Sequence, residues 1–136
     1  MITAVDTNVL IDVFDADAEF GLGSARAVRR CLGQGALVAC DIVWAETIAH
    51  FVDGQAALTA LDRLRLEFSA LELASVAAAG ESWRAYRQAG GGRERVAPDF
   101  LIGAHALRQA DRLLTRDRGF YRRYFGKLQI VDPSAP

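Results

Sequence analysis

Two cysteines, two histidines and one methionine in 136 residues leave little for soft-metal or redox chemistry. Cys31 and Cys40 lack the spacing of a metal-binding pair and are expected to be reduced and buried. His50 and His105 are too few for a histidine-rich centre. No apolar run is long enough to span a bilayer. No basic stretch leads into a small-residue cleavage site near Met1, so a soluble, cytoplasmic chain is expected. The glycine patterns that cradle phosphates or dinucleotides are absent. There is no internal repeat or low-complexity tract, and Gly90, Gly91 and Gly92 form too short a run for a linker between domains. What remains, 51% apolar and 24% charged, is an ordinary globular composition, long enough for one domain over residues 1–136.

The net charge of −1 hides an asymmetry. Residues 1–83 carry five basic and twelve acidic side chains, a net of −7, whereas residues 84–127 carry eleven basic and four acidic, a net of +7. Ten of those eleven cations are arginine, whose planar fork suits phosphate better than the point charge of lysine. Such a half fits either a polyanion-binding edge or a partner for the acidic half.

Short apolar runs alternate with helical patterns. ITAV predicts a first strand, and NVLIDVF a short helix capped by Asp6 or Thr7. Ser24 to Leu32 reads as a helix closed by the glycines of LGQGA, and ALVAC as the second strand. Asp41 should cap a helix through IVWAETIAHF that ends at Gly54, with another from Ala56 to Glu67. LELA is the third strand candidate. A long helix from Ser75 to Gln88 should stop at the three glycines, with a loop through Arg93, Glu94 and Arg95. Pro98 suits the first turn of a helix to about Gln109. LLT, a short helix from Gly119 to Tyr124, and LQIV complete the alternation, which implies an α/β fold with a mostly parallel five-stranded sheet covered by helices on both faces.

Ligands of such sheets lie at the carboxyl ends of the strands, where the strand order reverses. Asp6 and Asp117 both follow a strand, Asp99 follows Pro98 at a helix start, and Glu46 interrupts an otherwise apolar helix. Taken singly, Asp6, Asp99 and Asp117 also suit plain helix N-termini, where a carboxylate is favoured. Glu46, on a mostly buried helix, needs a partner or a metal unless its face is partly exposed. Taken jointly, four carboxylates at one sheet edge repel one another unless a cation neutralises them. Their all-oxygen chemistry suits Mg²⁺, and the neighbouring arginines suit phosphodiester cleavage. Asn8 and Thr115, each two residues from an acid, are candidates for orienting the carboxylates. Gly103 shares a helix face with Asp99 and is expected to allow close helix–sheet packing, with room beside the metal as the alternative. His50 reads as a surface or packing residue, with a bond to Glu46 as the alternative. His105 reads as structural, and Trp44 and Trp83 as core.

At DTNVLID, the mid-helix Glu46 and PDFLIGAHALRQADRLLTRDRGFY, the chain resembles the PIN-domain ribonucleases. More narrowly, it resembles the VapC-type toxins of bacterial and archaeal toxin–antitoxin pairs, over essentially its whole length. The resemblance implies a PIN-like three-layer sandwich and an acidic pocket holding Mg²⁺ or Mn²⁺. It implies endonucleolytic RNA cleavage by metal-activated water, neutralisation by a cognate antitoxin, and a homodimer. It places the four acids at Asp6, Glu46, Asp99 and Asp117, with Asn8 and Thr115 in support. The arginine-rich segment 116–123 fits an RNA partner, with Arg116 and Arg118 as the candidate contacts. Two positions depart from the family pattern. Asp41 stands where serine often precedes the glutamate-bearing helix, and Gly103 and His105 break the usual run of small residues.

Rival readings have weaker support. A receiver domain wants adjacent acids after its first strand and a lysine after its last, and neither is present. A phosphatase with an aspartate nucleophile wants a second aspartate where Asn8 stands. A non-catalytic PIN-like scaffold binding RNA or protein, or a PIN nuclease of RNA processing outside a toxin–antitoxin pair, remain the alternatives.

Overall fold

The computed structural model describes residues 1–93 and 95–135. Strand β1 (Ile2–Val5) lies in the middle of the sheet. Its residues Thr3, Ala4 and Val5 are all buried, as expected of a parallel strand covered on both faces. The order is β3-β2-β1-β4-β5, with β2 at Ala36–Ala39, β3 at Glu67–Phe68, β4 at Arg112–Leu114 and β5 at Ile130–Val131. Every neighbouring pair is parallel. β1 meets β2 through Ile2↔Ala36 and β4 through Val5↔Leu114, so the first and fourth strands end level with each other. Among the described residues seven helices connect these strands: α1 (Thr7–Phe14), α2 (Gly21–Gln34), α3 (Asp41–His50), α4 (Gly54–Arg63), α5 (Leu73–Gln88), α6 (Ala97–Gln109) and α7 (Arg118–Tyr124). The core runs from Val5, Val9 and Leu37 through Leu113 and Leu114 to Phe100 and Tyr121. Phe100, Phe120 and Tyr124 stack edge-on or tilted at its α6–α7 end, with centroids 5.2 to 6.1 Å apart.

Helix ends explain most differences from the sequence expectation. α3 stops at His50, four residues before Gly54. Asp53 then starts a new helix by accepting the Gln55 N–H at 3.1 Å, so Gly54 opens α4 instead of closing α3. α3 itself begins at Asp41 after Cys40, whose side chain makes no cap, and the Asp41 carboxylate instead accepts the Leu71 N–H at 2.9 Å. α4 ends at Arg63, short of Glu67. Arg65 takes a left-handed φ of 63°, while Arg65 N–H returns to Asp62 O and Leu66 N–H to Leu61 O. That is a Schellman closure with arginine at the usual glycine position. It frees Glu67 and Phe68 to pair with Val38 and Ala39 as the third strand. LELA is therefore not a strand: Leu73 and Ala74 already belong to α5, whose start is fastened by Gln109 Oε1 accepting from Glu72 N–H and Ser75 Oγ. α2 begins at Gly21 and carries Gly33 inside it. The chain stops only at Gly35, whose φ of 152° and contact with the Met1 carbonyl leave no room for a Cβ. At Gly103 the nearest neighbour is the Phe125 ring, with a Cβ there falling 2.4 Å from a ring carbon. In the expected loop at 93–95, Glu94 lies outside the described residues. No described helix is long and apolar enough to cross a membrane.

Candidate active site

β1 delivers Asp6 to the strand-end edge where the sheet order turns from β2 on one side to β4 on the other. Extended backbone at Asp6 (φ −83°, ψ 154°) lets it cap α1. Oδ1 accepts the Thr7 N–H at 2.8 Å. Oδ2 accepts from Thr115 Oγ1 at 2.7 Å, Tyr121 OH at 3.2 Å and Asn8 Nδ2 at 3.3 Å. The residue is only 7% exposed, and among the described residues no arginine, lysine or histidine pairs with it. Burial pushes its pKa from 3.8 up to about 6, against the hydrogen bonds from Thr115, Thr7 and Tyr121, and the charge of Asp117 adds to the rise.

Asp117 ends the β4 turn. Its N–H donates to Thr115 Oγ1 at 3.0 Å, so one threonine hydroxyl ties the first and fourth acids together. Asn8 fixes the same turn from α1, donating towards Thr115 Oγ1 and accepting the Arg116 N–H at 3.2 Å. The Asp117 carboxylate does not cap α7. It takes both N–H arms of Arg95, Nη1 on Oδ2 and Nη2 on Oδ1. Arg95 also lies 4.5 Å over the Phe120 ring. Asp99, half-buried in the first turn of α6, accepts the Val96 N–H at 3.2 Å, and its charge acts on both Arg95 and Tyr121.

Glu46 does not sit on a buried helix face. It is exposed, because the buried stripe of α3 runs through Val43 and Thr47. It reaches the site through Thr7 Oγ1, which donates to Glu46 Oε1 at 2.7 Å. His50 does not bond it either: its Nε2 meets Asp15 Oδ1 at 2.9 Å. His105 is buried against Ser69 Oγ at 2.9 Å, and burial lowers its pKa. Trp44 and Trp83 are half-buried and pack against the core. Of the two arginines named from sequence, Arg116 forks onto the buried Asp12 at 2.7 and 3.1 Å and stacks 4.0 Å over Phe20. Arg118 pairs with Asp132 at 2.7 Å and stays half-exposed.

Three side chains at the site carry no sequence signal strong enough to mark them. Thr7 reads as part of the cap. Tyr121 is four residues beyond Asp117 and faces inward from α7 one turn later, where an aromatic reads as plain core. Arg95 lies in a glycine-led loop with no periodicity.

The donor set is all oxygen, which suits a hard divalent ion, and the buried, uncompensated Asp6 is what such an ion neutralises. The chemistry fits. Among the described residues, however, no three carboxylate, histidine or cysteine side chains converge closely enough to share an ion as they stand, and Arg95 covers both Asp117 oxygens.

An all-parallel five-stranded sheet between helices, with Asp6 and Asp117 at the ends of neighbouring strands, defines an α/β domain with acidic residues at its switch point. The chain belongs to the PIN-domain family: the match to PIN domain spans residues 3–126. None of the curated proteins compared with the chain matches it. In fold it is similar to VapBC2 from Rickettsia felis bound to a DNA fragment from its promoter, at 20% identity and a TM-score of 0.75, covering 96% of this chain and 98% of that one. It is also similar to VapBC-1 from nontypeable Haemophilus influenzae, at 20% and 0.75, covering 99% and 100%. A toxin–antitoxin complex from Klebsiella pneumoniae gives 22% and 0.61, covering 98% and 99%. At these identities the likeness is one of fold.

Proposed function

We propose that this chain is a Mg²⁺- or Mn²⁺-dependent endoribonuclease of the cytoplasm, acting as the VapC-type toxin of a toxin–antitoxin pair. The observation that carries the reading is Asp6, a buried carboxylate gripped by four donors yet paired with no cation among the described residues, beside Asp117 at the switch point. Asp6, Asp99 and Asp117 would hold the ion, with Glu46 a ligand directly or through water. An ion held there would neutralise charge and ease the deprotonation of water for attack on phosphorus, with the 3′ oxygen leaving to give a 3′-OH and a 5′-phosphate. The chain's own residues orient the acids. Thr115 fixes Asp6 relative to Asp117, Asn8 pins the 115–117 turn to α1, and Thr7 links α1 to Glu46. Burial and the neighbouring acids drive the Tyr121 pKa far up, so its hydroxyl stays a donor to Asp6 and is not a base. Arg116 and Arg118 stand beside the pocket as RNA contacts, and Arg118 is the more exposed.

The test is cleavage of generic single-stranded RNA by the purified chain with Mg²⁺ or Mn²⁺ and with chelator. Metal-independent binding without cleavage would favour the scaffold reading. Glu46→Gln is expected to lower the initial rate at saturating Mg²⁺ by about tenfold, well short of the loss on removing a buried ligand. Glutamine keeps the oxygen that accepts from Thr7 and loses only an exposed charge. A greater loss than in Asp6→Asn would reverse that order.

The same reading includes a homodimer and an antitoxin whose C-terminal segment lays an arginine in the pocket. Exposed Val52 between α3 and α4, Leu58 on α4 and Phe68 on β3 leave apolar surface for packing, and the grip of Asp117 on Arg95 is the geometry an incoming guanidinium would use. Size exclusion with light scattering is expected to give a dimer for the isolated chain, and a monomer at micromolar concentration would overturn that part.

A further inference from the structure

Arg95 holds a position that the metal reading leaves unexplained. α5 ends in a Schellman closure, with Gly90 at φ 86° and Gly91 N–H on Tyr86 O at 2.9 Å. Gly91 lies so close to the Tyr86 ring that a Cβ would fall 2.5 Å from it. The chain therefore leaves α5 at a fixed point, and four residues later Arg95 reaches across to Asp117, an acid 22 residues further along. The fork uses both carboxylate oxygens. The ring of Phe120 backs the guanidinium at 4.5 Å. Asp117 first, then Asp99, raise the pKa of Arg95, so the guanidinium sits in the field of two of the acids assigned to the ion.

We propose that Arg95 is an internal latch on the acidic pocket: its guanidinium and a divalent cation compete for Asp117, so metal loading requires Arg95 to let go. This rests on the reading of the acids as a metal site. The geometry supports exchange over permanent blockade. The two side chains keep 29% and 34% of their surface exposed, so water reaches the pair and its net strength is that of a surface ion pair. A doubly charged ion bound by several carboxylates outcompetes one such contact. The Phe120 face is independent of Asp117 and leaves the freed guanidinium a resting place. The latch also explains why the described acids do not converge on one point: Asp117 is turned towards Arg95, and a cluster of bare carboxylates repels itself. Arg95 is thus a positioning residue, acting on the site through Asp117.

The experiment is calorimetric titration of the full chain with Mn²⁺ alone. Arg95→Ala is expected to bind Mn²⁺ about fivefold more tightly than the parent, the scale of one surface ion pair. Arg95→Lys, which keeps the charge and loses the fork, is expected to fall between the two. In an Asp117→Asn background the gain from Arg95→Ala should disappear, because the latch has lost its catch. Unchanged or weaker Mn²⁺ binding by Arg95→Ala overturns the latch, as does an equal gain with and without Asp117, which would mark a general effect of charge. Asp6→Asn separates the two ideas. If the parent binds Mn²⁺ and Asp6→Asn does not, the metal site stands whatever Arg95 does. If the parent binds no Mn²⁺, the site and the latch fall together.

Discussion

Asp6→Asn is expected to lower metal-dependent RNA cleavage by more than about 100-fold, beyond the usual cost of losing a supporting residue, while the metal-free protein stays as stable as the parent or gains. The two halves have one cause. Asp6 is buried without a cation, and its folded pKa is about 6 against an ordinary 3.8. An acid raised on folding binds its proton more tightly in the folded state. Below about pH 4 both states are protonated and the group contributes nothing. As pH climbs to about 6 the unfolded chain ionises first and stability falls, and above that the full penalty of about 3 kcal/mol applies. Asparagine escapes the penalty. It keeps one acceptor oxygen, however, and its amide nitrogen cannot accept from Thr115, Asn8 and Tyr121, which offsets part of the gain. Thermal melts in chelator should therefore show Asp6→Asn level with the parent at pH 4 and level or higher at pH 7.5. Added Mn²⁺ should raise only the parent, since a ligand stabilises the state it binds. Near-parental cleavage by the variant, or a lower melting temperature at pH 7.5, would remove Asp6 from its assigned place.

Asp12→Ala is expected to cost about 2–3 kcal/mol, the low end of the range for breaking a buried ion pair, because Arg116 keeps some contact with water. That is a fall in melting temperature of roughly 8–12 °C for a chain of this size. Asp12 is buried on α1, accepts from Ser24 Oγ at 2.9 Å and holds Arg116 by two N–H groups. Removing it strands a guanidinium and an α2 hydroxyl at once. It also loosens Arg116, flanked by Thr115 and Asp117, so RNA cleavage should drop several-fold although Asp12 is not assigned to the metal. The paired change Asp12→Leu with Arg116→Met should recover most of the stability, since replacing both partners leaves no charge stranded. A single variant that melts within about 3 °C of the parent would show the pair to be ornamental.

The sheet and the acids differed in how far the sequence foretold them, for local reasons. The strand-end placement of Asp6 and Asp117 was readable because a short apolar run leads into each, and a parallel strand buried on both faces writes such a run. Asp99 was readable because Pro98 starts its helix. β3 was not: its two residues, Glu67 and Phe68, are both exposed at the sheet edge and carry no apolar signature, whereas the leucines of LELA imitate one. Glu46 was placed on the right helix, but its burial was misjudged, since Ala45 and Ala49 beside it prove to be exposed. Arg95 and Tyr121 meet the acids through contacts spanning 22 and 115 residues, and such pairings leave no trace in a local pattern.

The central strand of this sheet is the first of the five along the chain, and one of its two neighbours is the fourth. β1 joins β4 by pairing Thr3 with Arg112, so nearly the whole chain must exist before Asp6 acquires Thr115 and Asp117. Contacts so distant along the chain close late in folding. A chain folded only as far as β3 therefore carries Asp6 and Glu46 without Thr115 or Asp117. On the proposed function, cleavage would become possible only once β4 has docked beside β1, not piecemeal as the earlier strands form.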